Sequence, residues 1–157
     1  MSIEDEVSVL RRIPLFAHIS AQKLKLLAFT SERIVYESGQ TLFHQGDEGD
    51  AAFVIIEGQA DILVNSPQGP VSVAQVERSS IVGEVAVLCD VPRTATVKAM
   101  TRLDTLRITK AQFLDLLTEF PELTIEIMKT LAVRLTKTSA ELSEARSRLR
   151  ALETPRG

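Results

Sequence analysis

The 157-residue chain is 45% hydrophobic and 25% charged, which is ordinary for a globular protein and supplies enough apolar side chains for a packed core. Its formal net charge of −3 argues against a free-standing nucleic-acid-binding domain, because such domains carry a basic surface. The single cysteine, Cys89, has no intramolecular disulfide partner, which fits a reducing compartment. No signal peptide or membrane-spanning run is recognisable, so a cytoplasmic location is expected.

The chain begins with a helical segment, residues 1–31, that Pro14 divides, because a proline inside a helix removes a backbone donor. Ser20 is predicted to cap a second helix that runs through Phe29. Three apolar residues are predicted to share one face of that helix: Leu24, Leu27 and Ala28.

Residues 32–108 consist of short apolar runs separated by Gly, Asp, Asn and Pro, a pattern typical of an antiparallel sandwich, barrel or roll. The segment Ile81–Asp90 departs from this strand pattern, because it is apolar but contains Gly83-Glu84 and small residues. It is predicted to form a short helix and a loop. The remaining runs are predicted to be strands: Ile34–Tyr36, Leu42–Phe43, Ala52–Ile56, Ala60–Val64, Val71–Val76, Ala95–Ala99 and Leu103–Ile108.

Residues 109–157 are predicted to be helical. Thr109 and Gln112 have capping-box spacing for a helix that ends at Phe120, and Pro121 suits the first turn of the next helix. That last helix is predicted to be long, because no Gly or Pro interrupts it before Pro155.

The long helix carries side chains spaced three and four residues apart, the a/d pattern of a coiled coil. We expect this stripe to pack on the β region as far as Leu135 and to contact another helix beyond Leu142, so a homodimer through this helix is one candidate assembly. The stripe consists of Met128, Leu131, Leu135, Thr138, Leu142, Ala145, Leu149 and Leu152.

The segment that points to chemistry is Gly83-Glu84-Val85-Ala86, followed after a loop by Pro92-Arg93-Thr94-Ala95. A glycine that opens a short helix lets the backbone approach an anion, and the free N–H groups and the helix dipole favour a phosphate. Arg93 can place its planar guanidinium on two phosphate oxygens. Glu84 can accept a hydrogen bond from a hydroxyl and pair with Arg93, so a ribose beside a phosphate fits both residues.

The chain resembles the cyclic nucleotide-binding domains of bacterial catabolite activator proteins, kinase A regulatory subunits and cyclic-nucleotide-gated channels. Three stretches carry the resemblance. Residues 13–16, Ile-Pro-Leu-Phe, are similar to the start of the family's domain. The glycine-spaced residues 39–58 look like the family's β-roll signature, and residues 83–95 look like its phosphate-binding cassette.

This resemblance implies an α+β fold built on an antiparallel, jelly-roll-like β-roll at residues 32–108, with a short cassette helix inside a cassette at about 82–95. An N-terminal helical segment at 1–31 precedes the roll. Two C-terminal helices at 109–157 follow it as hinge and lid, and the last of them is long.

The resemblance also implies roles for the cassette residues. Glu84 is expected to accept the ribose 2′-hydroxyl, and Arg93 is expected to bind the exocyclic oxygens of the cyclic phosphate. Gly83 and Ala86 are expected to offer backbone donors, while Val85 is expected to pack near the sugar or base.

The same resemblance implies expectations for four further positions. Thr94 is expected to contact the phosphate or the 2-amino group of a syn guanine. The last helix is expected to act as a lid, with Arg134 and Lys137 as candidates to cover the purine. Val82 departs from the aromatic or larger aliphatic residue that often precedes the Gly-Glu pair, and we expect this to alter packing without loss of binding.

We therefore expect a sensor that is not an enzyme, in which ligand binding orders the cassette and swings the hinge near Phe120 and Pro121. The expected ligand is cyclic AMP, with cyclic GMP as the alternative. No helix-turn-helix sequence follows the lid, so direct DNA binding is not expected. The expected output is to an effector protein or to a covalently linked effector domain.

Two other functions compete with this interpretation. A degenerate module would act as a protein–protein adaptor without ligand, although an adaptor has no need for Glu84 and Arg93. An enzyme on a cupin-like roll would need clustered metal-binding histidines, whereas His18 and His44 lie far apart in the sequence. We therefore expect no metal, no cofactor and no catalytic residue, and we expect Cys89 to be a small core residue.

Overall fold

The fold is described by a computed structural model that covers residues 2–153. In this range two N-terminal helices precede two β-sheets, and two further helices follow the last strand. The helices are α1 (Ile3–Arg11), α2 (Ala21–Thr30), α3 (Glu84–Cys89), α4 (Lys110–Glu119) and α5 (Pro121–Glu153), with a 3-10 turn at Pro14–Phe16. The strands are β1 (Glu32–Tyr36), β2 (Thr41–Phe43), β3 (Ala51–Glu57), β4 (Ala60–Ser66), β5 (Gly69–Val76), β6 (Ile81–Val82), β7 (Thr96–Ala99) and β8 (Leu103–Thr109).

The strands form two four-stranded sheets, in the orders β1-β8-β3-β6 and β2-β7-β4-β5, with antiparallel pairing throughout. The predicted α+β class with an antiparallel β-roll is therefore confirmed. The predicted strands are all present, with ends that differ by one or two residues.

Strand β3 lies between two cores, because successive side chains of a strand point to opposite faces. Ala52, Val54 and Ile56 point toward the helices and join the core there. Their neighbours Ala51, Phe53 and Ile55 join the core between the two sheets. Because both faces of β3 are buried, its sequence is an unbroken apolar run.

The helix signals in the sequence are local, and the structure confirms them. The Ser20 side chain accepts a hydrogen bond from the backbone N–H of Lys23, which caps α2. The capping box of Thr109 and Gln112 is complete at the start of α4. Pro121 is the first residue of α5, where its missing N–H costs no helix hydrogen bond.

Two predictions for the segment 81–90 need correction. Ile81 and Val82 form the short strand β6, which pairs with β3, so the helix occupies only Glu84–Cys89. Cys89 is exposed and is not a core residue, because it lies in the last turn of that short helix, on the side away from both cores.

The predicted packing of the apolar stripe of α5 on the roll is also wrong in part. Leu123 and Ile127 are buried and Leu131 packs beside them, because residues four apart share one helix face. Met128 and Leu135 lie to the side of that face, and 63% and 68% of their surfaces are exposed.

Candidate nucleotide site

Gly83 sits where β6 turns into α3, with φ 81° and ψ 5°, a left-handed conformation that favours glycine. A Cβ atom at this position would collide with Nη1 of Arg93 and would lie 3.2 Å from the Phe43 ring. The glycine is therefore required by both its backbone conformation and the close approach of the arginine. Among residues 2–153, no side chain accepts a hydrogen bond from the N-terminal N–H groups of α3 as a cap.

Arg93 is 3% exposed and lies against the start of β3. Its Nη1 donates to the carbonyl of Gly83 at 2.8 Å, and its Nη2 donates to the carbonyl of Ala51 at 2.6 Å. The guanidinium also stacks over the Phe43 ring, 4.0 Å from the ring centroid. These contacts hold the arginine in one place, but two of its partners are neutral carbonyls that do not balance its charge.

The charge of Arg93 is incompletely compensated. The Asp50 carboxylate lies 3.6 Å from Nη2, yet 66% of that side chain is exposed to solvent. Within residues 2–153, the buried Nε of Arg93 has no hydrogen-bond partner. Burial lowers the pKa of the Arg93 guanidinium from its ordinary value, and the carboxylates of Asp50 and Asp47 oppose that shift. A buried cation with an unused donor is suited to an anionic ligand.

Glu84 is the first residue of α3 and is 8% exposed. The expected pairing of Glu84 with Arg93 is not found among the ion pairs of the described residues. Glu84 instead pairs with Arg134 of α5, with Nη1 3.1 Å from Oε1. A carboxylate oxygen beyond the one used by Arg134 remains a hydrogen-bond acceptor.

A cavity of about 340 Å³ joins these groups, within the range of small-molecule pockets. All six cassette residues singled out from the sequence line it: Gly83, Glu84, Val85, Ala86, Arg93 and Thr94. Arg134 also lines the cavity, whereas Lys137 is exposed and is not among the lining residues. The floor of the cavity is apolar and includes Ile62, Ala74, Val76 and Val97.

Sequence reasoning missed two residues that hold the site together. Phe43 was assigned to a strand, and both Phe43 and Asp50 to the glycine-spaced signature 39–58, but neither was given a role at the site. Both act on Arg93, which is more than forty positions further along the chain. No local pattern marks such pairings, and the glycine-spaced signature around these residues was the available clue.

Among residues 2–153, no group of three or more His, Cys, Asp or Glu side chains is arranged to hold a metal ion. No helix in that range has the length and apolar character needed to cross a membrane.

Comparison with known proteins points to one family. The family model described as "Cyclic nucleotide-binding domain" matches residues 33–120. The N-terminal domain of a transcriptional regulator from Streptomyces coelicolor A3(2) is similar in structure, with a TM-score of 0.68 and 36% sequence identity. The match covers 83% of this chain and 94% of that domain.

Two curated relatives are much longer proteins. A cAMP-dependent protein kinase regulatory subunit from Mucor circinelloides is 35% identical over 108 residues, which is 69% of this chain and 25% of that subunit. The lysophospholipase nte1 of Neurospora crassa is 31% identical over 108 residues, 68% of this chain and 7% of that protein. The chain thus spans only a small part of the curated relatives that it matches.

Proposed function

Because the chain belongs to the cyclic nucleotide-binding domain family, we propose that it binds one cyclic mononucleotide in the cassette cavity and acts as a sensor, not as an enzyme. The observation that carries this proposal is the pair of buried opposite charges, Arg93 and Glu84, on the wall of one small cavity.

Arg93 would bind the cyclic phosphate. A guanidinium has five N–H donors, and the carbonyls of Gly83 and Ala51 engage only two of its nitrogens, which leaves donors for phosphate oxygens. The exocyclic phosphate oxygens would supply the negative charge that the exposed Asp50 carboxylate supplies incompletely. Backbone donors at Gly83 and Ala86 would add to this binding, and Thr94 would offer a hydroxyl from the cavity wall.

Glu84 would accept the ribose 2′-hydroxyl. Its Oε1 is paired with Arg134, so Oε2 is the natural acceptor for a hydroxyl that enters from the cavity. Val85 would then pack near the sugar or base, and the apolar floor formed by the sheet would receive the purine. This arrangement uses the carboxylate for recognition and gives it no catalytic role.

Helix α5 would act as the lid. Arg134 reaches from α5 to the cassette helix and lines the cavity. A ligand in the cavity would therefore contact Arg134 and affect the position of α5. Closure would be a shift between two populated positions of this helix, driven by their different affinities for the nucleotide. The bend at Phe120 and Pro121, between α4 and α5, is the natural hinge. Lys137 would contribute only if the helix moves, because it is exposed and outside the cavity.

Cyclic AMP is our preferred ligand. The support is the kinship with a cAMP-dependent protein kinase regulatory subunit, at 35% identity. Cyclic GMP is the second candidate, because the exposed Thr94 hydroxyl beside Arg93 could receive the 2-amino group of a syn guanine.

The sensor would work from the cytoplasm, in keeping with its single unpaired cysteine. In functional terms we divide it into the entry 1–31, the roll 32–108 with its cassette, and the hinge and lid 109–157. Its output would be the position or the assembly of α5, passed to an effector protein or to a linked effector domain.

Calorimetric titration of the protein, stripped of any copurified nucleotide, with cyclic AMP and cyclic GMP tests the proposal. We expect one-site binding that Arg93→Ala weakens at least tenfold, because a charge-assisted contact contributes about 1.5–3 kcal/mol. The control Arg102→Ala removes the same charge from a 69% exposed side chain outside the cavity and should leave affinity unchanged.

Arg93 also supports the fold, so a second variant keeps the test independent of stability. Glu84→Gln preserves the shape of the side chain and should lower affinity about tenfold through the lost charged acceptor. Far-UV circular dichroism would show that both variants fold. Absence of heat and of any thermal shift with either nucleotide would instead favour the adaptor function.

A further inference from the structure

Two arginines, Arg93 and Arg107, share the carboxylate of Asp50. Nη2 of Arg107 donates a hydrogen bond to Oδ2 of Asp50 at 3.1 Å. Oδ1 of the same carboxylate lies 3.6 Å from Nη2 of Arg93, which is too long for a hydrogen bond. Asp50 is therefore hydrogen-bonded to Arg107, whereas it interacts with Arg93 only through its charge.

The β-sheet fixes the position of Arg107. This residue belongs to β8, where it lies between Glu32 of β1 and Phe53 of β3 in the strand register. The Glu32 carboxylate is 3.7 Å from Nη1 of Arg107, and 25% of the Arg107 side chain is exposed. Burial lowers the pKa of Arg93, and the positive charge of Arg107 lowers that pKa further, so the two cations are close enough to influence each other.

The backbone of Asp50 is anchored, but its side chain is free to turn. The carbonyl of Asp50 accepts a hydrogen bond from the backbone N–H of Lys110 at 2.9 Å, and the next residue, Ala51, pairs with Thr109 in the sheet. By contrast, 66% of the Asp50 side chain is exposed, and exposed side chains change rotamer within nanoseconds. The arginine that attracts the carboxylate more strongly therefore decides where it lies.

The orientation of Arg93 does not depend on Asp50. The carbonyls of Gly83 and Ala51 accept hydrogen bonds from its two terminal nitrogens, and the Phe43 ring lies under the guanidinium. A carboxylate that moved onto Arg93 would occupy donors and neutralise charge that a phosphate needs. Asp50 is thus a competitor for an anionic ligand at Arg93, and its hydrogen bond to Arg107 limits that competition.

We propose that Arg107 is a positioning residue of the nucleotide site, which holds the Asp50 carboxylate away from Arg93 and leaves the Arg93 guanidinium for a phosphate. Arg107 acts through Asp50, since it is not among the residues that line the cavity. When a phosphate binds Arg93, its negative charge repels Asp50, and Arg107 receives the displaced carboxylate. This role rests on the proposed function, because it requires an anionic ligand at Arg93.

NMR spectra of the arginine side chains, recorded on the full chain without nucleotide, test the position of Asp50. In Arg107→Gln we expect Asp50 to form a hydrogen bond with Arg93, which should shift the Nη protons of Arg93 downfield. Addition of Asp50→Asn should reverse this shift, because the charged acceptor is lost. Arg93 signals that are the same in wild type and in Arg107→Gln would overturn the proposal, whether or not the protein binds a nucleotide.

Calorimetric titration with cyclic AMP tests the consequence for binding. Arg107→Gln should weaken affinity about two- to fivefold, the range expected for an exposed ion pair, and Arg107→Lys should restore most of it. Asp50→Asn should tighten binding by a similar factor. In the Asp50→Asn background, Arg107→Gln should have no further effect. Equal weakening with and without Asp50 would show that Arg107 acts through its charge alone and would overturn the positioning role.

Arg78→Gln is the matched control. It removes the same charge from a 44% exposed arginine that pairs with Glu57 at 3.6 Å and lies outside the cavity, so affinity should not change. Failure of the wild-type protein to bind cyclic AMP or cyclic GMP would refute the proposed function. Normal wild-type binding with an unchanged affinity in Arg107→Gln would instead refute only the role of Arg107.

Discussion

Glu84 and Arg134 are fifty positions apart in the chain, yet their side chains form an ion pair at 3.1 Å. The contact joins the first residue of the cassette helix to the helix proposed as the lid. Glu84 is buried, whereas 58% of the Arg134 side chain is exposed, so the arginine reaches in from the rim. The Glu84 carboxylate, which is proposed to bind the ribose, therefore also holds α5, the proposed lid, through its ion pair with Arg134.

Removal of that contact should loosen the lid. We expect Arg134→Gln to weaken nucleotide binding about fivefold, because the buried carboxylate loses its cation and α5 loses a tether. Amide hydrogen exchange in residues 127–138 should quicken at the same time. Lys129→Gln is the control, since Lys129 is a 70% exposed lysine of the same helix and lies outside the cavity. Equal effects of the two substitutions would contradict a specific role for Arg134.

Gly83→Ala should destabilise the fold and displace Arg93. The new methyl group meets the guanidinium, and the left-handed backbone adds strain of about 1–3 kcal/mol. Urea denaturation of this variant and of Gly69→Ala separates the two effects. Gly69 also has a positive φ of 103°, but apart from its two chain neighbours no atom in the described part of the chain lies within 4 Å of an added Cβ. The prediction fails if the two variants lose the same stability.

The Phe43 ring should stabilise Arg93 through the cation–π contact at 4.0 Å. A double-mutant cycle with Phe43→Leu and Arg93→Met should give a coupling free energy of about 0.5–2 kcal/mol, since the ring faces a desolvated guanidinium. The free energies of unfolding come from urea titration of the four proteins. Additive effects would show that the ring contributes packing and no interaction with the charge.

The Asp90 carboxylate should titrate below the usual aspartate range. Lys110 donates a hydrogen bond to it at 2.9 Å and holds its pKa down. Because the folded pKa is depressed, the stability from this pair is present above about pH 4, the unfolded pKa, and is lost as the pH falls through the folded value. NMR titration of the carboxyl carbon should show the low pKa, and Lys110→Met should return it toward normal.

Asp90→Asn is the matched control for stability. Asparagine accepts the left-handed conformation that Asp90 adopts, with φ 52° and ψ 49°, so this variant removes the charge alone. Wild type should exceed it in stability at neutral pH and match it at the acid end. A difference that is constant across the pH range would exclude the ion pair as its source.

Much of this protein follows from its sequence because the relevant signals are local. The caps at Ser20 and Thr109, the start of α5 at Pro121 and the strand runs each depend on residues a few positions apart, and the structure confirms them. The segment 83–95 could be singled out for the same reason. Its glycine, acid and arginine lie within one short stretch, and the structure brings them around one cavity.

The partners of those residues were decided by the tertiary structure. The sequence predicts that Glu84 pairs with the nearby Arg93, but in the structure Glu84 pairs with Arg134. Arg93 instead contacts the Phe43 ring, the Asp50 carboxylate and the backbone carbonyl of Ala51. Helix periodicity likewise marked the stripe of α5, but not which part of it the roll would cover. Backbone propensity and periodicity act over a few residues, whereas a buried charge is satisfied by whichever groups the packing of distant elements brings within a few ångströms.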